Sequence, residues 1–141
     1  MKRNASAVWN GGLKDGKGTI STDSGVLANS QYSFSTRFED GIGTNPEELI
    51  GAAHAGCFTM ALTAALSRAQ ITPTRIHTNA TVKLEKIGES FAITGIALET
   101  EAEIPGLDDA KFQEYAEGAK QNCPVSKALA GTEISLVARL V

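Results

Sequence analysis

The chain has 141 residues, 42% hydrophobic and 21% charged, with a net charge of −3 and a pI near 5.4. That length fits one domain over residues 1–141 with a core of its own, and the acidic balance argues against a nucleic-acid partner, which calls for a basic face. No apolar run follows Lys2 and Arg3, so no secretory signal is expected and the expected location is cytoplasmic, where two cysteines point to catalysis, metal binding or inertness before a permanent bridge.

Residues 4–9 alternate enough for a strand, broken by Asn10-Gly11-Gly12, and residues 18–22 read as a second strand. Tyr32, Phe34, Thr36 and Phe38 share one parity, which predicts a half-buried strand carrying Arg37 on its more polar face. After a loop over residues 40–44, Asn45-Pro46-Glu47-Glu48 opens a helix. Asn45 is the N-cap, Pro46 stands in the first turn, and the two acids complement the helix dipole. The helical pattern runs to about Arg68. From residue 49 to residue 67 it holds no charge, about the length that spans a bilayer. It is largely Gly and Ala with His54, Thr59 and Thr63 inside, so a central helix wrapped by protein is expected and no membrane partner. A second subunit could supply part of that cover.

Ile76, Thr78, Ala80, Val82 and Leu84 keep one parity in a long strand, and Gly88-Glu89 marks a hairpin turn. The returning strand, residues 91–104, changes phase between Ile93 and Ile96, which predicts a bulge at Gly95. Residues 108–121 form an amphipathic helix, Asn122-Cys123-Pro124 starts a short one, and residues 134–140 close with a strand. Hairpin-joined strands predict an α+β fold with mainly antiparallel sheets around a long central helix.

A thiolate inside protein needs a cation, a helix N-terminus or a base. By sequence position Cys123 has the helix N-terminus, whereas Cys57 lies mid-helix. His54, three residues earlier on the same face, reads as a partner for Cys57 or as an ordinary core histidine. Arg37 stays charged when desolvated and can be fixed by a carboxylate, although on a strand it could equally be a plain exposed residue. Glu47 is a candidate for that carboxylate, although an acid in the first helical turn has a capping role of its own. Ten positions separate Glu47 from Cys57, roughly 15 Å of helix, so the two cannot touch within one chain. His54, Cys57, His77 and Cys123 suit zinc in kind but not in spacing, and no phosphate-loop or dinucleotide motif occurs.

The stretch Gly43-Thr44-Asn45-Pro46-Glu47-Glu48-Leu49-Ile50-Gly51-Ala52-Ala53-His54-Ala55-Gly56-Cys57-Phe58, preceded by Arg37-Phe38, resembles the core signature of the OsmC/Ohr family, the osmotically inducible protein C and organic hydroperoxide resistance proteins. Asn122-Cys123-Pro124-Val125-Ser126 resembles its second signature, and the wording is closer to the OsmC branch. The resemblance implies an OsmC-like fold, an intertwined homodimer, and a thiol peroxidase reducing organic hydroperoxides to alcohols in oxidative or osmotic stress. It makes Cys57 the peroxidatic residue, Cys123 the resolving one that forms the Cys57–Cys123 disulfide, Arg37 the activating cation and Glu47 its anchor. It implies no bound cofactor or metal, only an external dithiol, with dihydrolipoyl groups as candidates. An apolar site with residues such as Phe58 or Met60 is expected to favour alkyl or aryl peroxides. The competing readings are a thiol sensor that oxidises without turnover and a zinc-binding module.

Overall fold

The computed structural model describes every residue from Met1 to Val141, in two compact units, Met1–Leu49 and Ile50–Val141. Its elements are mixed helix and strand with two three-stranded sheets, an α+β arrangement.

The first unit holds an antiparallel sheet of β1 (Ala5–Asn10), β2 (Lys17–Thr22) and β3 (Ser30–Tyr32), in that order. Gly18 pairs with both Trp9 and Tyr32, whose rings meet edge to face at 5.4 Å. A Cβ at Gly18 would strike the Tyr32 ring, so only glycine lets the rings close over the strand.

The predicted strand over residues 32–38 is wrong. Strand β3 stops at Tyr32, and Phe34–Phe38 is a short helix, α1. Ser33 caps it: its hydroxyl accepts from the Thr36 N–H, and the Thr36 hydroxyl accepts from the Ser33 N–H at 2.7 Å. This reciprocal box satisfies orphan donors locally and outweighs the period-two pattern of the aromatics. Gly43, at φ +136°, follows α1, and a Cβ there would collide with the Gln31 carbonyl.

Helix α2 (Pro46–Arg68) begins as expected, with Asn45 Oδ1 accepting from the Glu48 N–H at 2.8 Å. By length and composition it is the one helix able to cross a membrane. Within the second unit, Phe58, Leu62 and Leu66 recur every four residues on one face and are fully buried. They pack with Ile96, Leu98, Ala102, Ile104 and Phe112 into a single cluster. The opposite face, Ala52, Ala53, Gly56, Met60 and Ala64, is exposed, and Met60 retains 75% of its surface. Phe58 is thus a core residue, not the wall of a substrate site.

The second sheet runs β4 (Arg75–Ile87), β5 (Ser90–Glu103), β6 (Glu133–Leu140). Gly88-Glu89 makes the tight β4–β5 turn, with Gly88 at φ +63°. The register slips between Lys83 and Leu84, where Thr94 is the extra residue beside Gly95, one position from the expected bulge. Strands β4 and β5 are antiparallel, but β6 lies parallel to β5. The crossover between them carries α3 (Asp109–Asn122) and α4 (Pro124–Ala128), as a parallel connection requires.

Hydroxyls tie α2 to this sheet. Thr59 Oγ1 lies 2.8 Å from Thr78 Oγ1, Thr78 3.0 Å from Thr100 Oγ1, and Thr100 donates to the His77 carbonyl at 3.1 Å. With one proton on each hydroxyl, the three bonds form together only if every proton points from Thr59 towards His77.

Candidate active site

The first unit fixes a cation. Arg37, on α1, donates from Nε to Glu47 Oε1 at 2.9 Å. Glu47 is nearly buried, while 41% of the Arg37 side chain stays accessible. Partly exposed pairs of this kind contribute little to stability; the bond orients the guanidinium. Glu47 Oε2 is buried without a partner. Asn45 sets the distance between the two carriers, because its Nδ2 donates to the Thr36 carbonyl of α1 at 3.1 Å while its Oδ1 caps α2. Arg37 also lies 5.4 Å over the Phe38 ring and borders a cleft of about 260 Å³ lined by Trp9, Leu13, Tyr32, Phe34 and Phe38.

The second unit brings the cysteines together. Cys57 is half-buried on α2; Cys123 is fully buried between α3 and α4. Its N–H closes α3 on the Ala119 carbonyl at 2.9 Å, and Pro124 starts α4. Both thiols are free and close enough for each to shift the other's pKa. Burial, then the Cys123 sulfur, push the Cys57 thiol up, partly opposed by the Val125 N–H. Burial also pushes Cys123 up, but hydrogen bonds from Cys57, the Ser126 N–H and hydroxyl, and the Val125 N–H bring it below its ordinary value. None of the groups that set the Cys57 thiol is a cation.

His54 is fully buried, with Nε2 at 2.8 Å from Ser126 Oγ and Nδ1 unpartnered. It pairs with Ser126, not with Cys57 as one sequence reading had it. Burial pulls its pKa down. His54, Cys57, His77 and Cys123 do not gather as a ligand set: no three potential ligands stand together. Two sets of residues were missed from sequence. Ser126 was quoted in a motif without a role, although Pro124 at a helix start places residues 125 and 126 in the first turn, facing Cys123. The cleft beside Arg37 was hidden because its aromatics were assigned to a strand.

Residues 39–137 match the family model described as OsmC-like protein. The chain belongs to that family. It is 53% identical over 129 residues to a relative from Escherichia coli (strain K12) named peroxiredoxin OsmC, covering 92% of this chain and 90% of the relative. It is 35% identical over 92 residues to an organic hydroperoxide resistance protein of Xanthomonas axonopodis pv. citri, covering 64% of this chain and 63% of that one. The crystal structure of the organic hydroperoxide resistance protein OhrB of Bacillus subtilis matches with a TM-score of 0.72 at 29% identity over 98% of each chain.

Proposed function

We propose that this chain is a cysteine-based peroxidase that reduces organic hydroperoxides to alcohols at the expense of an external dithiol, in defence against oxidative stress. The observation that carries this reading is the contact between two free thiols from distant parts of the sequence, Cys57 and Cys123. It is supported by relatives named peroxiredoxin OsmC and organic hydroperoxide resistance protein.

The Cys57 thiolate attacks the terminal peroxide oxygen; an S–O bond forms, the O–O bond breaks, and the alkoxide leaves and takes a proton. Cys123 then displaces hydroxide from the Cys57 sulfenic acid, giving a disulfide and water. The balance is two thiols and ROOH to one disulfide, ROH and water. A dithiol, with dihydrolipoyl groups as the candidates, restores both thiols. The family likeness assigns to Arg37 the positive charge that Cys57 lacks among its own neighbours, and to Glu47 the task of holding it; the Arg37–Glu47 bond supports the second assignment. The aromatic cleft beside Arg37 favours an alkyl or aryl peroxide over hydrogen peroxide. The unit at work is a homodimer, a reading supported by the exposed apolar face of α2.

Turnover of cumene hydroperoxide with excess dithiol tests this reading. Many equivalents consumed per protein, none by Cys57→Ser, and about one by Cys123→Ser are expected. Oxidation that stops after one equivalent in the unaltered protein would make it a sensor and overturn the enzyme.

A further inference from the structure

The buried pair His54–Ser126 has no part in the chemistry above, yet it ends on a reacting sulfur. His54 Nε2 lies 2.8 Å from Ser126 Oγ, and the Ser126 hydroxyl and Cys57 are both among the groups that act on the Cys123 sulfur. The serine has one proton to give. If it went to His54, the imidazole would carry its own hydrogen on Nδ1, which is buried and unpartnered. A buried N–H without an acceptor is the rarer and costlier orphan. If it goes to Cys123, His54 carries its hydrogen on Nε2 and donates to Ser126, and Nδ1 is a bare lone pair. Cys123 is the N-cap of α4 and Ser126 lies in its first turn, three residues on, which makes the sulfur the neighbour of the hydroxyl.

We propose that His54 is a positioning residue for the resolving step: its Nε2–H fixes the Ser126 hydroxyl so that it donates to the Cys123 sulfur, holding that sulfur as a thiolate aimed at Cys57. This rests on the reading that Cys123 resolves a Cys57 sulfenic acid. In that step Cys123 S⁻ attacks the Cys57 sulfur, the S–S bond forms, the S–O bond breaks, and the hydroxide leaves and takes a proton from solvent to become water. Neither His54 nor Ser126 is consumed. His54 touches neither sulfur in this scheme; it acts through Ser126.

The test separates the two chemical steps. Reduced protein is mixed with one equivalent of cumene hydroperoxide, quenched with a thiol-alkylating reagent at intervals, and weighed intact, so that sulfenic acid and disulfide are counted separately. His54→Leu and Ser126→Ala should form the sulfenic acid no more slowly than the unaltered protein. Both should close the disulfide about tenfold to a hundredfold more slowly, the effect of one hydrogen bond to a charged group. The double variant should be no slower than either single one, since both break one chain. His54→Gln, whose amide N–H replaces Nε2–H, should restore most of the rate. Should His54→Leu fail to fold, Ser126→Ala and His54→Gln still carry the test. Disulfide closure at the unaltered rate in Ser126→Ala, additive losses in the double variant, or no rescue by glutamine would each overturn the proposal. If the unaltered protein itself forms no disulfide, the peroxidase reading fails instead.

Discussion

Among the residues, the two thiols are unequal in an instructive way. Local donors favour charge on Cys123, while Cys57, half-buried on α2, is pushed up by burial and by its partner. A nucleophile at Cys57 therefore needs a cation brought to it, whereas a resolving thiol at Cys123 is already prepared. Helix position in the sequence pointed to this asymmetry, because Pro124 marks a helix start. The role of Ser126 was not legible, since a hydroxyl matters here only through His54, 72 positions away. His54 yields a prediction of its own. Its folded pKa lies below the ordinary 6.5 because burial disfavours the imidazolium. The unfolded chain thus binds the proton more readily, so the contribution to stability is full above the unfolded value and is lost as pH falls through the folded one. Between about pH 7 and pH 5 the unaltered protein should lose more stability than His54→Gln, by at most about 1.4 kcal/mol per pH unit. Urea midpoints for both proteins at the two pH values check this; a constant gap between them would refute it.

At the scale of elements, one side chain coordinates two helices. Asn45 caps α2 through Oδ1 and holds α1 through Nδ2, so the helix carrying Arg37 and the turn carrying Glu47 are set by one amide. Aspartate at this position keeps a good cap but loses the donor and turns a carboxylate oxygen towards the Thr36 carbonyl. Asn45→Asp should therefore keep the cap but lose about 1 kcal/mol with the Thr36 bond, and reduce hydroperoxide about tenfold more slowly, as misplacement of a reacting group does. Asn45→Ala should lose the cap as well, about 1 kcal/mol. Thermal melts beside peroxide assays distinguish them, and full activity in Asn45→Asp would show that the orientation of α1 is immaterial. The cap at Asn45 was readable because Asn-Pro-Glu-Glu is local chemistry. Helix α1 was not, because the aromatic alternation at Tyr32, Phe34 and Phe38 fits a strand and the Ser33–Thr36 box is visible only as a pair of reciprocal bonds.

For the whole molecule, the proposed dimer has a specific requirement. Ala52, Ala53, Gly56, Met60 and Ala64 give α2 an uncharged outer stripe with small residues that permit close approach. A stable pairing removes roughly 1,200–2,000 Å² from water, and a charge at the middle of such a surface is expensive to desolvate. Sedimentation should find twice the 14.8 kDa chain mass for the unaltered protein, and Met60→Glu should return a single chain at micromolar concentration. A monomer in both cases would remove the dimer from the mechanism. The first two strands, the long helix and the β4–β5 hairpin were readable from period and turn residues. The parallel pairing of β6 was not, because a strand's alternation is silent about its neighbour.

That pairing also governs when the two thiols meet. The β4–β5 hairpin closes over a two-residue turn, whereas β6 meets β5 across 38 positions, from Gly95 to Glu133. Such non-local closure costs more chain entropy and comes later in folding. Cys123, Val125 and Ser126 all lie inside that span. A chain that has made only its hairpin carries two ordinary, unassisted cysteines, and the paired thiols exist only once the crossover is shut. On the proposed mechanism, resolution is thereby out of reach of the partly folded chain, where a sulfenic acid at Cys57 would run on to the sulfinic acid.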